Sequence, residues 1–259
     1  MAKFPKDTFD AVEMLYGEGI SKNFPQYGVF WERFIGRNPS SNKAEWYPVK
    51  FPQTMLTSDR ARFTRWRQEL SMAHYSLFCN LSGCHFQLNE LVRLTVPPIT
   101  KEIFFKHWEC FECFYFRLGN CYYQVYHLWE IMAELKQPGL KVDQYVRIEG
   151  IIREWLYFKR RHKKFSLLRD NLTHYSRVGH RELEGGFYIP RTIKEGHATK
   201  RNQELWSNQL KRKNWRRTNV KMRLDLEESA SVFNRIHTTL IRKFDKCLKS
   251  KGISIKVLK

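Results

Sequence analysis

The stretch KEIFFKHWECFECFYFRLGNCYYQVYHLWEIMAELK, residues 101–136, decides the fold. Along it, large apolar residues recur at alternating intervals of four and three: Phe104, Trp108, Phe111, Tyr115, Leu118, Tyr122, Val125, Trp129 and Met132. This spacing follows one face of an α-helix, which has about 3.6 residues per turn. Thr100 suits the N-cap position, and Gln137-Pro138-Gly139 ends the helix. So regular an aromatic seam predicts a long helix packed inside a bundle.

Three more helices are predicted around this one. The first starts near Ser58-Asp59 and has the stripe Phe63, Trp66, Leu70, Ala73, Leu77, Leu81, Cys84, Leu88 and Leu91. The third starts near Val142, with Ile148, Ile151, Trp155 and Phe158 on its buried face. The fourth runs from about Arg223 to Lys249, with Leu226, Val232, Phe233, Ile236, Leu240, Phe244 and Cys247. We therefore predict an all-α fold, an antiparallel bundle of four long helices.

The helices also define the expected domain organisation. Residues 1–57 contain several prolines and are predicted to form an N-terminal arm or cap, with a short helix around Tyr27–Gly36. The bundle itself covers residues 58–250, and residues 251–259 form a C-terminal tail. Glycines followed by many lysines and arginines predict a basic insertion at 176–222, between the third and fourth helices.

The charge of the chain points to an acidic partner. Lys and Arg number 46 against 26 Asp and Glu, which gives a formal net charge of +20. A field of this strength attracts polyanions and speeds their encounter with the protein. Nucleic acid is the leading candidate, followed by an acidic membrane surface or an acidic protein; basicity that serves solubility alone is the remaining alternative.

The cysteines and the hydropathy pattern indicate the compartment. All six cysteines lie within apolar helical patterns, which is typical of reduced thiols in a cytoplasmic protein. No signal peptide or membrane span is expected, because no apolar run is long enough. Cys110 and Cys113 form a C-x-x-C that zinc could use, together with Cys79, Cys84 and His85 on the neighbouring helix. Buried free thiols are the preferred interpretation, so we expect no metal and no cofactor.

The stretch Arg169-Asp170-Asn171-Leu172-Thr173-His174 holds the residue types that cleave RNA. Histidine moves protons near neutral pH, and the arginine fork stabilises the extra charge on a phosphate under attack. On an ideal helix Arg169 and His174 lie about 140° apart, so they share a groove only if the helix lies along it or if two subunits meet. Asp170 precedes His174 by four residues and can orient its imidazole. The alternative is a set of ordinary solvated surface charges.

This motif, in the third helix of a basic bundle, resembles the signature of the HEPN superfamily of helical ribonucleases. The resemblance covers about residues 58–250 and implies a metal-independent endoribonuclease, of the toxin or antiviral-defence type. Arg169 and His174 would carry catalysis and Asp170 would assist them, with Asn171, Thr173 and Tyr175 as supporting residues. The family further implies a homodimer with a composite site and an antitoxin or defence-system partner. Members modified on a Tyr two places after the His differ from this chain, which has Ser176 there.

Two basic clusters are predicted to bind the RNA. Their members are Lys159, Arg160, Arg161, Lys163, Lys164, Lys211, Arg212, Lys213, Arg216 and Arg217. Trp206 and Trp215 stand beside the second cluster and could stack on bases, or belong to a solvated loop. A non-catalytic nucleic-acid-binding module and a purely protein-interacting bundle remain alternative functions.

Overall fold

A computed structural model describes residues 35–37, 44–96, 100–174 and 212–255. It is mostly helical, in agreement with the all-α prediction. Two short antiparallel sheets accompany the helices, one pairing β1 with β2 and one pairing β3 with β4. The elements in chain order are β1 Ile35–Arg37, β2 Ala44–Trp46, β3 Val49–Lys50, α1 Thr57–Leu94, α2 Lys101–Lys136, α3 Val142–Ile148, α4 Ile152–His174, α5 Arg212–Ser250 and β4 Ser254–Ile255.

Helix α2 forms where its aromatic seam predicts it. The Thr100 side chain accepts a hydrogen bond from the Ile103 amide at 3.2 Å, which confirms the N-cap. At the other end Gln137 leaves the helical conformation, and Gly139 adopts φ 73° in the turn that follows. Seven of the nine seam residues are described, Phe111 through Met132, and all seven are buried. The side chains of Phe104 and Trp108 lie outside the described residues.

Helices α1 and α2 pack along each other in opposite directions. Near the start of α1, the Trp66 indole donates to the Ile131 carbonyl at 2.8 Å, close to the end of α2. Further along α1, the Cys84 thiol donates to the Phe114 carbonyl at 3.6 Å. The approach is close: a Cβ at Gly83 would lie 2.5 Å from Cδ of Arg117. The whole predicted stripe of α1 is buried, as expected.

Tyr122 of α2 lies at the centre of the core that joins α2, α4 and α5. Its ring stacks on Phe158 and Phe165 of α4, with centroids 5.8 and 4.9 Å away, and meets Phe233 of α5 edge-on at 4.9 Å. Its hydroxyl donates to Ser229 Oγ at 3.0 Å. Such aromatic pairs add about 0.5–1.5 kcal/mol each to the burial of their surface. All seven apolar residues predicted for the fourth helix are buried.

The third and fourth helices differ from their predicted bounds. The third is broken, because Gly150 adopts φ 66° and the Ile151 amide bonds back to the Val146 carbonyl at 3.0 Å. Ile148 is consequently 59% exposed and does not belong to the core. The fourth helix begins at Arg212, about three turns before Arg223, so residues 212–222 are helical and are not part of a loop insertion.

The N-terminal arm also departs from prediction where it is described. Ile35 and Gly36 lie in strand β1, where the end of a short helix was predicted; residues 27–34 lie outside the described residues. Strand β3, just before α1, pairs with β4, just after α5. Within the described residues, no helix combines the length and apolar character that crossing a bilayer requires.

Candidate functional site

The stretch Arg169–His174, called the RNase-like motif below after its resemblance to the HEPN signature, falls in the last turns of α4. The backbone of Arg169, Asp170, Asn171, Thr173 and His174 is helical, because α4 continues to His174. The side chains of residues 167–174 lie outside the described residues, and so does the whole of Tyr175. The described side chains nearest to the motif are those that anchor α4 one turn before it.

Phe165 and Lys164 anchor α4 at that point. Phe165 is fully buried and stacks on Tyr122 at 4.9 Å and on Tyr115 at 6.4 Å. The neighbouring Lys164 ammonium lies 3.1 Å from Asp225 Oδ1 of α5 and 4.8 Å above the Phe165 ring. These contacts set both the position and the rotation of the helix that leads into Arg169.

Asp225 is a buried carboxylate that our sequence interpretation missed. It is 7% exposed and accepts hydrogen bonds from the Tyr115 hydroxyl at 2.9 Å and from Lys164. Burial, and then the negative charge of Asp225, raise the pKa of Tyr115, so the phenol stays protonated and donates. A sequence signal existed: Asp225 stands between the apolar positions Met222 and Leu226, where an acid needs a partner.

The first basic cluster divides into paired and unpaired cations. Arg161 pairs with Glu228 of α5, Lys164 pairs with Asp225, and Lys159 lies 3.6 Å from Asp143. Arg160 and Lys163 are exposed, and neither forms an ion pair with any described residue. These two are therefore the members of the cluster best suited to hold a phosphate.

The second basic cluster lies at the start of α5. Arg216 and Arg217 are exposed there. Arg212 and Lys213 are helical but their side chains are not described, and Lys211 lies outside the described residues.

Trp215 does not serve as a stacking platform for bases. Its side chain is fully buried and stacks on His107 of α2, with ring centroids 4.1 Å apart. Because an apolar ring in the first turns of α5 packs onto α2, this part of the predicted basic insertion belongs to the helical core. Trp206, the other candidate, lies outside the described residues.

The buried histidines His74, His107 and His237 belong to the helical core. The His74 and His237 rings are both fully buried and join at 3.0 Å between their Nε2 atoms. Burial lowers the pKa of His237 to about 4 and that of His107 to about 3. Burial, and then the neighbouring His237, hold the pKa of His74 well below its usual range. His127 differs: it lies at the surface, 3.1 Å from Glu130.

The cysteines are all free thiols. Cys84, Cys121 and Cys247 are buried, whereas Cys79, Cys110 and Cys113 are only half-buried. Burial raises the pKa of Cys110 to about 11, so this sulfur stays protonated at neutral pH. Among the described side chains, no group of three or more His, Cys, Asp or Glu residues is arranged to hold a metal ion.

Comparison with known proteins adds no family to this description. No family model, no curated protein and no solved structure matches the chain.

Proposed function

We propose that this protein is a metal-independent endoribonuclease of the HEPN type, with residues 169–174 as its active site. The single observation that carries the proposal is the continuity of α4. The six motif residues fall within one helix, Ile152–His174, and the core holds that helix as far as Phe165. A helix fixed in this way presents its arginine and its histidine in constant directions, which catalysis by positioned groups requires, also when the two residues act across a dimer.

The helical register supports different roles for the two catalytic residues. Steps of about 100° put the Cα of Arg169 within about 40° of those of Phe158 and Phe165, the two buried aromatics. By the same arithmetic, the Cα of His174 falls within about 40° of those of Arg160 and Lys163. RNA held by these two exposed cations would thus lie on the side of α4 that carries His174.

The arrangement of the helices supports the predicted bundle and the composite site. Contacts between successive long helices support a four-helix antiparallel bundle: Trp66 of α1 bonds to Ile131 of α2, Tyr115 of α2 stacks on Phe165 of α4, and Glu154 of α4 pairs with Arg235 of α5. One helix splays Arg169 from His174 by about 140°, so the two residues act together either along a groove of one subunit or across two subunits, and the resemblance to the HEPN family favours the second arrangement. We therefore include a homodimer in the proposal, with the Arg169 of one subunit serving the His174 of the other.

The reaction needs no metal. His174 takes the proton of a ribose 2′-hydroxyl, and the 2′ oxygen attacks the adjacent phosphorus. The new bond from the 2′ oxygen to phosphorus forms as the bond to the 5′ oxygen breaks, and a proton from the second His174 or from water completes the 5′-hydroxyl. Arg169 stabilises the charge on the phosphate, and Asp170 orients His174. The products are a 2′,3′-cyclic phosphate and a 5′-hydroxyl end.

A cleavage assay in chelator tests the proposal. Purified full-length protein is incubated with mixed RNA in EDTA, alongside His174→Ala, Arg169→Ala and the control His127→Ala. His127 is a suitable control because it lies at the surface of α2, paired with Glu130. Wild type and the control should cut, whereas both active-site variants should lose at least about 100-fold in rate. Equal cutting by wild type and His174→Ala would refute the assignment.

Such an enzyme would act on cytoplasmic RNA as a toxin or defence effector. Its activity would then have to be restrained by an antitoxin or another defence-system protein. Co-purification from cells that express the inactive His174→Ala variant would identify such a partner.

A non-catalytic nucleic-acid-binding module is the second candidate. Four exposed cations favour it, namely Arg160, Lys163, Arg216 and Arg217, because they can contact phosphates whether or not cleavage follows. This candidate predicts RNA binding that weakens steeply with salt and no cleavage at any pH. The chelator assay separates the two candidates, since only the ribonuclease produces cyclic phosphate ends.

A further inference from the structure

A small cavity lies between the end of α2, the helix α3 and the last turns of α5. Its volume is about 50 Å³, and its polar lining includes Lys136, Tyr145, Glu149, Lys243 and Lys246. One water needs roughly 10–15 Å³ measured in this way, so the cavity has room for several waters or one small ion. Glu149 in its wall precedes α4 by three residues, and α4 extends for about 25 Å from Ile152 to Arg169.

Glu149 holds two of the lysines in place. Its carboxylate is 8% exposed and accepts from Lys136 at 2.8 Å and from Lys243 at 2.9 Å. Lys243 also donates to the Glu149 carbonyl at 2.7 Å. Burial alone would raise the pKa of Glu149, but the two ammonium groups bring it below its usual value, so the carboxylate stays charged. The lysines are thereby fixed at the cavity wall.

The cavity wall carries excess positive charge. Three lysines, Lys136, Lys243 and Lys246, line the cavity together with one glutamate, and each ammonium group has three protons to donate. Glu149 accepts from only two of these groups, and Lys246 is exposed without an ion pair to a described residue. The wall thus offers more donors than its own acceptors can use.

Tyr145, which lines the cavity, has a buried hydroxyl that could use an acceptor. Tyr145 is 1% exposed, and its buried hydroxyl has no hydrogen-bond partner among the described residues. Leaving such a group without a partner costs about 1–3 kcal/mol. Burial, and then the charge of Glu149, raise the pKa of Tyr145, so the phenol remains a proton donor.

We propose that this cavity binds a small tetrahedral oxyanion of the phosphate class. Phosphate oxygens would accept from Tyr145 and from the spare protons of Lys136 and Lys246, and their charge would offset the excess of cations. Bound there, the anion would tie α2, α3 and α5 together. The site lies apart from the RNase-like motif and does not depend on the ribonuclease proposal.

Phosphate titration at constant ionic strength tests the site. The melting temperature of the full-length protein should rise with inorganic phosphate until it reaches a plateau. In a separate titration with chloride, it should stay constant. Lys246→Met should weaken the apparent affinity about tenfold or more, because it removes one charge-assisted donor. The matched control is Lys249→Met, which removes an exposed charge from the same helix but does not line the cavity, and it should bind like wild type.

Tyr145→Phe separates a binding role from a structural role. Since its hydroxyl has no partner among the described residues, its removal should leave the melting temperature in chloride unchanged or higher, while phosphate affinity falls several-fold. Equal responses to phosphate and chloride would refute the site, as would wild-type affinity in both Lys246→Met and Tyr145→Phe. His174→Ala should bind phosphate with wild-type affinity. The phosphate site can therefore be confirmed or refuted even if the cleavage assay is negative.

A comparison of ligands identifies the source of the oxyanion. Inorganic phosphate, a nucleoside monophosphate and the parent nucleoside are titrated in turn. Equal affinity for the first two indicates the free ion, and tighter binding of the monophosphate indicates a phosphate monoester. Binding of the nucleoside as tight as that of its monophosphate would contradict recognition through the phosphate group.

Discussion

The buried pair His74 and His237 should make the protein sensitive to mild acid. Their Nε2 atoms lie 3.0 Å apart, so one ring donates the proton and the other accepts it. Both rings are fully buried and therefore neutral in the folded protein. When the pH is lowered, these two rings bind protons readily in the unfolded chain but not in the folded protein. Acidification therefore favours the unfolded state.

The magnitude follows from the depressed pKa values. That of His237 falls from 6.5 to about 4 and that of His107 from 6.5 to about 3, in both cases through burial. The stability that each neutral ring contributes is complete above pH 6.5 and is lost as the pH falls toward the folded value, at about 1.4 kcal/mol per pH unit. At pH 5 each of these two histidines should thus remove about 2 kcal/mol, and His74 acts in the same direction. This is a large part of a typical free energy of unfolding, about 5–15 kcal/mol.

Urea unfolding followed by tryptophan fluorescence, at pH values from 8 to 5, measures this loss. The double variant His74→Leu/His237→Leu removes both partners together, so it should keep wild-type stability at pH 8 to within about 1–2 kcal/mol and lose less on acidification. The single variant His237→Leu should be less stable at every pH, because His74 loses that partner. A free energy of unfolding that is flat from pH 6.5 to 5, or a double variant as acid-sensitive as wild type, would refute this reasoning.

Two further predictions concern α5 and the exposed cations. Trp215→Ala should lower the free energy of unfolding by about 3–5 kcal/mol, because it empties a buried site against His107. The control is Val220→Ala, at an exposed position of the same helix. Equal stability of the two variants would contradict the assignment of Trp215 to the core. Arg160→Ala/Lys163→Ala should reduce the slope of log affinity against log salt for single-stranded RNA by about 1.4, measured by fluorescence anisotropy, and an unchanged slope would exclude both residues from the RNA interface.

The long helices could be predicted because their apolar spacing is local information. Alternating intervals of four and three along α1 and α2 identify a buried face without knowledge of the rest of the fold. The start of α5 was missed because the ten basic residues between 191 and 221 predict an exposed loop. The burial of Trp215 depends on His107 in another helix, which the local sequence does not reveal. The break before α4 was missed because the apolar pattern continues across Gly150, a glycine whose conformational freedom ends the helix there.

The polar groups of the core could not be predicted in the same way. Asp225 meets Tyr115 across 110 positions of sequence, and His74 meets His237 across 163. A one-dimensional pattern shows that a position is buried, but it does not show which residue of another helix satisfies it. The cavity that we propose binds phosphate could not be predicted for the same reason, because Lys136, Tyr145 and Lys246 come from three different helices.

The pairing of β3 with β4 also has a consequence for the order of folding. Val49 and Ile255 are aligned across the two strands, so the contact closes a loop that contains all five helices of the described part of the chain. A loop this long is entropically costly to close before its contents are compact, and two paired residues per strand repay little of that cost. The strands should therefore join last, after α1 and α5 have docked. In pulse-labelling hydrogen exchange, protection of the amides in β4 should mark the completion of the native state.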